Sequence, residues 1–320
     1  MNVKIKYEQN MNASGSTSTL QSDVGLCIMM HSMVEKVFFY LDEQWYKECL
    51  PEAAEAVRTF RGYGFESDLW VVESGDVLPD PEYDALYIAD SERLLRQLQD
   101  LGAASCGYSH SGNGGQAPKR ADYILMEPQW VDRDSLVKIW QRQRRLPWTI
   151  LETARCVVRE FVPEDLEAIR ALYDEEAERF LEAPSEDTEK ERKILEAYID
   201  RVYRLCGYGH WAVISRQTGE LIGRIGFSFP DSSAPGPAPD ASFGYLVRKD
   251  MRGKGIAREV CAALIEYGFS QLGFERIGAD TALSNTASAK ILRSFGFREV
   301  ARREDQRYYI LNKKEWIYIL

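Results

Sequence analysis

The chain is poor in the residues that metal and redox chemistry draw on. Its 320 residues include three histidines and six cysteines. Cys27, Cys49, Cys106, Cys156, Cys206 and Cys261 contain no C-x-x-C pair, so neither a zinc ribbon nor a disulfide framework is indicated and no metal is expected. A basic excess is missing as well. The net charge is −10, with 15 basic and 22 acidic side chains in residues 1–150 and 25 and 28 in residues 151–320, which argues against nucleic acid as a partner. No apolar run is long enough to span a bilayer. Residues 24–34 come nearest, but they are few and include His31, so no membrane association and a cytoplasmic location are expected. Nothing in the chain specifies an oligomeric state.

What is present is an ordinary globular composition, 45% hydrophobic and 28% charged, at a length that favours two domains. A Ser/Thr-rich start followed by Met29, Met30 and Met33 suggests a disordered leader over residues 1–32. A small parallel α/β domain is expected over 33–147, because short apolar runs (37–41, 69–72, 86–89, 103–108 and 123–126) alternate with amphipathic stretches. The helix over 91–101 has Leu94, Leu95 and Leu98 at helical spacing, with Asp90 or Ser91 as its cap, and Asp90 is read as a cap rather than as a metal ligand. The glycine-rich His110–Gly115 stretch reads as a flexible surface loop. From Leu86 to about Trp140 the pattern resembles the last βαβ portion of the haloacid dehalogenase-like phosphatases, with Asp90 in the place of a magnesium ligand. Leu94 stands where that family carries a second aspartate, and Asp42 has no D-x-D partner.

The most informative segment lies further on. Tyr245–Val247 leads into Arg248-Lys-Asp-Met-Arg-Gly-Lys-Gly255 and then into the helical run Ile256–Leu272. Gly253 and Gly255 allow positive φ and close backbone approach, so successive amides converge on an anion at the positive end of the helix. A diphosphate suits such a cradle. Before it, a strand over 155–162, a helix opened by Pro163 and a second helix from Thr188 with Glu191 completing a capping box are expected. The strands 210–215, 221–229 and 242–247 follow as a meander. After the cradle come strand 275–281, helix 286–295 and strands near Val300 and over 308–311.

The motif Arg252-x-x-Gly255-x-Ala257, with Asn285-Thr-Ala-Ser288 and Phe295-Gly-Phe297 downstream, resembles the acetyl-coenzyme A site of the GNAT acetyltransferases. Ser288 is similar to a serine of the ribosomal-protein alanine N-acetyltransferase subgroup. The resemblance covers residues 148–320 and implies a GNAT fold, an α/β (α+β) architecture with a mixed, mainly antiparallel central sheet. It implies acetyl-CoA as cosubstrate, held by Leu246 and Val247 on a bulged, splayed strand, by Arg252, Gly253, Lys254, Gly255, Ile256 and Ala257 at the diphosphate, and by Asn285 and Ser288 at the arm. It further implies transfer to an amine acceptor by direct attack, with Asp280 as base and Ser288, Tyr308, Tyr309 or water as acid, Leu292 replacing the tyrosine acid of many members. The acidic run Asp174–Glu189 suits a cationic acceptor. The alternative is a non-catalytic acyl-CoA sensor or interaction module.

Overall fold

The computed structural model describes residues 34–316, and the expected leader lies outside them. The chain divides after Arg144 into two compact units.

In the first unit the strands β1 (Lys36–Asp42), β2 (Glu66–Val72), β3 (Ala85–Ala89), β4 (Ala104–Tyr108) and β5 (Ile124–Leu125) form one parallel sheet in the order β2-β1-β3-β4-β5. Helices α1 (Tyr46–Gly62), α2 (Glu92–Asp100) and α3 (Arg133–Gln143) accompany it. β1 is buried along almost its whole length, as a strand covered on both faces must be. Phe39 stacks on Phe60 of α1, while Phe38 and Tyr40 pack edge-on against Trp70. The cap of α2 is Ser91, whose hydroxyl accepts the Leu94 amide. Asp90 is therefore not the cap: its carboxyl turns inward, for the reason given below.

The second unit is built on an eight-stranded sheet in the order β12-β13-β11-β10-β9-β8-β7-β6. Its strands are β6 (Thr149–Glu152), β7 (Cys156–Arg159), β8 (His210–Ser215), β9 (Leu221–Ser228), β10 (Ala241–Val247), β11 (Arg276–Ala282), β12 (Arg298–Arg303) and β13 (Gln306–Asn312), with helices α4 (Leu166–Arg170), α5 (Thr188–Cys206), α6 (Ile256–Ser270), α7 (Thr286–Ser294) and α8 (Lys313–Trp316). β6 was not anticipated. The capping box at Thr188 is also corrected. Asp187 accepts the Lys190 amide as N-cap, and Glu191 accepts instead from Ser185 N.

All neighbouring strands of this sheet are antiparallel except β10 and β11. A parallel pair needs a crossover, and α6 supplies it. Ile256, Val260, Cys261, Leu264, Ile265 and Phe269 recur at helical spacing and are buried, each large side chain contributing about 1.5–3 kcal/mol by leaving water. Gly268 is the point of closest approach, since a Cβ there would stand 2.8 Å from Phe227 Cζ. Among the described residues no helix is long and apolar enough to cross a membrane.

Candidate active site

The ladder between β10 and β11 stops early. Only Ala241↔Ile277 and Ser242↔Gly278 are paired, although the strands continue to Val247 and Ala282. Beyond Ser242 the strands part and open a cleft of about 780 Å³. The expected bulge is not the cause, because β10 pairs with β9 without a register shift from Ser242↔Ser228 to Val247↔Gly223. Leu246 and Val247 line the cleft as expected.

At one end lies the glycine turn. Gly253 and Gly255 have φ of +73° and +79°, and Gly255 is the left-handed N-cap of α6. A Cβ added at Gly253 would meet nothing within 4 Å, and one at Gly255 would meet Arg155 Nη2 at 3.4 Å. The first amides of α6 have no partners within the helix and face an incoming anion. Arg155 donates through Nη1 to Lys254 O at 2.8 Å and pairs with Glu259, tying the turn to the start of α6. Sequence spacing gave no sign of Arg155, which sits about a hundred residues away.

The role expected of Arg252 is corrected. Its Nη1 and Nη2 bind the two carboxylate oxygens of Asp174 at 2.9 Å each, Nη1 also reaches Glu176 at 3.0 Å, and Nε donates to Val247 O. Its charge is already compensated, and Arg252 with the Ala177 amide holds the Asp174 carboxyl down to about 2. The same bonds use part of the acidic run that was expected to attract a cation. Of the other cations expected or found at the turn, Arg258 lines the cleft, whereas Lys254 does not and lies with Arg155 on a separate pocket.

Asn285 caps α7, its Oδ1 accepting the Ser288 amide at 3.0 Å, and it also lines the cleft. The Ser288 hydroxyl lies 3.0 Å from that of Tyr245. Burial raises the Tyr245 pKa, so this phenol keeps its proton. Sequence reasoning missed Tyr245, although the Gly244-Tyr245 pair directly precedes Leu246. Tyr308 is the converse case. It lies opposite Asp280 in the β11–β13 register but does not line the cleft, being one strand farther from the opening. Tyr309 is buried.

Asp280 lines the cleft and has solvent access, yet the protein around it and then the charge of Asp231 raise its pKa. Across the sheet, His210, Gly226 and Gly244 are in register on β8, β9 and β10. With no side chains at the two glycines, the imidazole lies across the strands, and a Cβ at Gly244 would come within 3.2 Å of His210 Cε1. His210 Nδ1 is covered and without a partner, and burial followed by the nearby Arg224 lowers its pKa to about 3. The ring is therefore neutral at physiological pH. Arg224, beside it, donates to Tyr173 Oη at 2.7 Å. Neither His210 nor Arg224 was singled out from the sequence, because their neighbours come from other strands.

The first unit gathers a second polar group. Cys49, Asp90 and His110 place one ligand-type atom each within 4.8 Å of one another. The hydrogen bonds decide what this is. Gly112 N donates to His110 Nδ1 at 3.1 Å, leaving the proton on Nε2, which points at Asp90 Oδ2 at 3.4 Å. Asp90 Oδ1 accepts the Asp42 amide, and Arg93 pairs with Asp42. A ligating histidine normally gives its second nitrogen's proton to an acceptor, so this is a hydrogen-bonded lock rather than a ligand set. The reading of 110–115 as a free loop is corrected too. Asn113 Nδ2 donates to Asp90 O and Tyr108 O at 3.0 Å, and a Cβ at Gly112 would meet Glu48 Cβ at 2.9 Å.

Residues 155–298 match the family described as an acetyltransferase (GNAT) domain. The chain is similar to the uncharacterized N-acetyltransferase YoaA of Bacillus subtilis, 32% identical over 47% of this chain and 83% of that protein. It is likewise similar to the uncharacterized N-acetyltransferase p20 of Bacillus licheniformis, 30% identical over 47% of this chain and 82% of that protein. Among solved structures, a GNAT-family acetyltransferase from Bacillus anthracis is 21% identical, covers 52% of this chain and 99% of its own, and has a TM-score of 0.43.

Proposed function

We propose, from the premise that this chain belongs to the GNAT acetyltransferase family, that it moves an acetyl group from acetyl-CoA to a primary amine by direct attack. The observation that carries this reading is the continuity of one cleft, which runs from the glycine turn at 253–257 past Tyr245 and Ser288 to Asp280. Acetyl-CoA, as the family's cosubstrate, supplies the acetyl thioester. The residues present suit it. The glycine turn takes a diphosphate on its amides, and the unpaired stretches of β10 and β11 offer backbone groups to an extended arm. The Val247 amide, which the pairing with β9 directs away from that strand, contributes roughly 3–4 kcal/mol when aimed at a thioester oxygen, as in comparable acyl transfers.

An alkylamine of pKa about 10.4 is protonated at neutral pH and needs a base. Asp280 lines the cleft with no side-chain partner among the described residues and a raised pKa, which improves it as a proton acceptor. As the new C–N bond forms and the C–S bond breaks, the Tyr245–Ser288 hydroxyl pair holds a proton for the departing sulfur. Among the described residues no cysteine lines the cleft, and Cys261 is fully buried on α6, so none of them is placed to form a covalent acyl-enzyme.

Calorimetry with CoA and thiol release from acetyl-CoA over a panel of amines test the reading. Heat together with thiol release is expected. Heat without release on any amine would favour the sensor alternative, and no heat on folded protein removes the assignment.

A further inference from the structure

One cation on the sheet wall of the cleft has no counter-charge. Arg224 is half-buried on β9, and among the described residues no carboxylate pairs with it. Its one side-chain bond goes to the neutral hydroxyl of Tyr173, which steadies the guanidinium and leaves the rest of its N–H fork uncommitted. Arg252, on the same cleft, is by contrast tied to Asp174 and Glu176. A guanidinium held partly out of water with no anion beside it is costly unless a ligand brings one. Its planar fork fits a carboxylate.

A second polar group stands next to it. Arg224 faces Ala212 and His210 faces Gly226, two residues along the same β8–β9 pair, so both side chains leave the same face of the sheet. The gap left by Gly226 and Gly244 lets the imidazole lie over β10 toward the opening, with its Nδ1 covered and unpartnered. Phe180 and Leu181 add apolar lining, and Asp280 lies on β11 across the opening.

We propose that Arg224 and His210 form a carboxylate subsite, so that the acceptor is an amine carrying its own carboxylate, of the amino-acid class, and not a simple alkylamine or polyamine. This rests on the acetyltransferase reading above. The cationic end of such a zwitterion is drawn to Asp280 and its anionic end to Arg224, which orients the amine for attack. Tyr173 positions the guanidinium, and the neutral His210 ring donates one N–H without adding a second positive charge that an ammonium group would meet.

The test is a matched series of acceptors assayed by thiol release: leucine, leucinamide, 3-methylbutylamine and O-phosphoethanolamine, with calorimetry of leucine on the CoA-loaded protein. The kcat/KM ratio of leucine to leucinamide should be about tenfold or more, the effect expected of one charge-assisted pair, and should reside mainly in KM. In Arg224→Gln the ratio should fall to about one, and Arg224→Lys should recover part of it, with thermal unfolding confirming that each variant folds. A wild-type ratio near one, with acetylation of carboxylate-free amines intact, would overturn the subsite and leave the acetyltransferase standing. Preference for O-phosphoethanolamine would overturn the carboxylate specifically. Thiol release on other amines but on none of this series would also refute it, whereas no thiol release on any acceptor removes the subsite together with the reading it rests on.

Discussion

Both units bring carboxylates, a histidine and an arginine to one side of a sheet, and they treat them in opposite ways. In the first, Asp42 is held by Arg93, Asp90 accepts the Asp42 amide and faces His110, and His110 Nδ1 takes the Gly112 amide. In the second, among the described residues, Arg224 has no acidic partner and His210 Nδ1 has none at all, and Asp280 faces a cleft. The residue types are the same, and the difference is whether the protein satisfies its own polar groups. A constellation whose donors and acceptors are spent internally holds a fold together, while one left incomplete beside a cavity is set up to complete itself on a ligand.

The largest effect should come from filling the gap under His210. In Gly226→Ala the new Cβ would stand 2.1 Å from Gly209 O and 2.4 Å from His210 Cα, both backbone atoms. The second unit should lose about 3 kcal/mol or more, seen as a lower Tm by calorimetry, and an unchanged Tm would show that the trough is slack. Asp280→Asn should lower kcat by about tenfold or more with CoA affinity kept. Because the Asp280 pKa is raised, wild-type kcat/KM should climb with pH along a limb displaced above the usual aspartate range. Unchanged turnover removes Asp280 from the chemistry.

Asp90→Asn sharpens the contrast from the other side. It weakens a buried pair, so it should destabilise the first unit by about 1–3 kcal/mol while leaving acetyl transfer within about twofold. A large loss of turnover with stability intact would give that cluster a part in function. The smallest effect concerns pH. His210 has a pKa of about 3 in the fold, below the roughly 6.5 of an unfolded histidine. The unfolded chain therefore binds the extra proton first as pH falls, so stability is full above about 6.5 and declines down to about 3. His210→Gln should flatten that slope in denaturant titrations, and an unaltered slope would place the acid sensitivity elsewhere.

Local features were legible in advance. The glycine turn and α6 with its apolar face each depend on residues within a few positions of one another, so spacing alone reveals them. Where a signal was locally contradictory, it misled. α1 has Trp45 as its N-cap, with no side-chain cap bond, and contains Pro51, so no local capping signal announces it. At the start of α2 both Asp90 and Ser91 could cap, and only the pull of Asp42 N and His110 on Asp90 assigns the role to Ser91. The acidic run 174–189 gave no sign of a fixed ion pair, because Arg252 is 78 residues from Asp174.

The amino-acid order was enough to indicate the glycine turn, the succession of strands and helices from β7 to β13 and the family resemblance, because each follows from short-range periodicity and backbone freedom. Tertiary structure alone decided that β10 and β11 part after Ser242, that Arg252 is neutralised while Arg224 is not, and that His210, Gly226 and Gly244 stand in one row. The physical reason is that charge compensation and the opening of a cleft depend on which distant residues come within a few ångströms, and strand pairing across the sheet sets that distance.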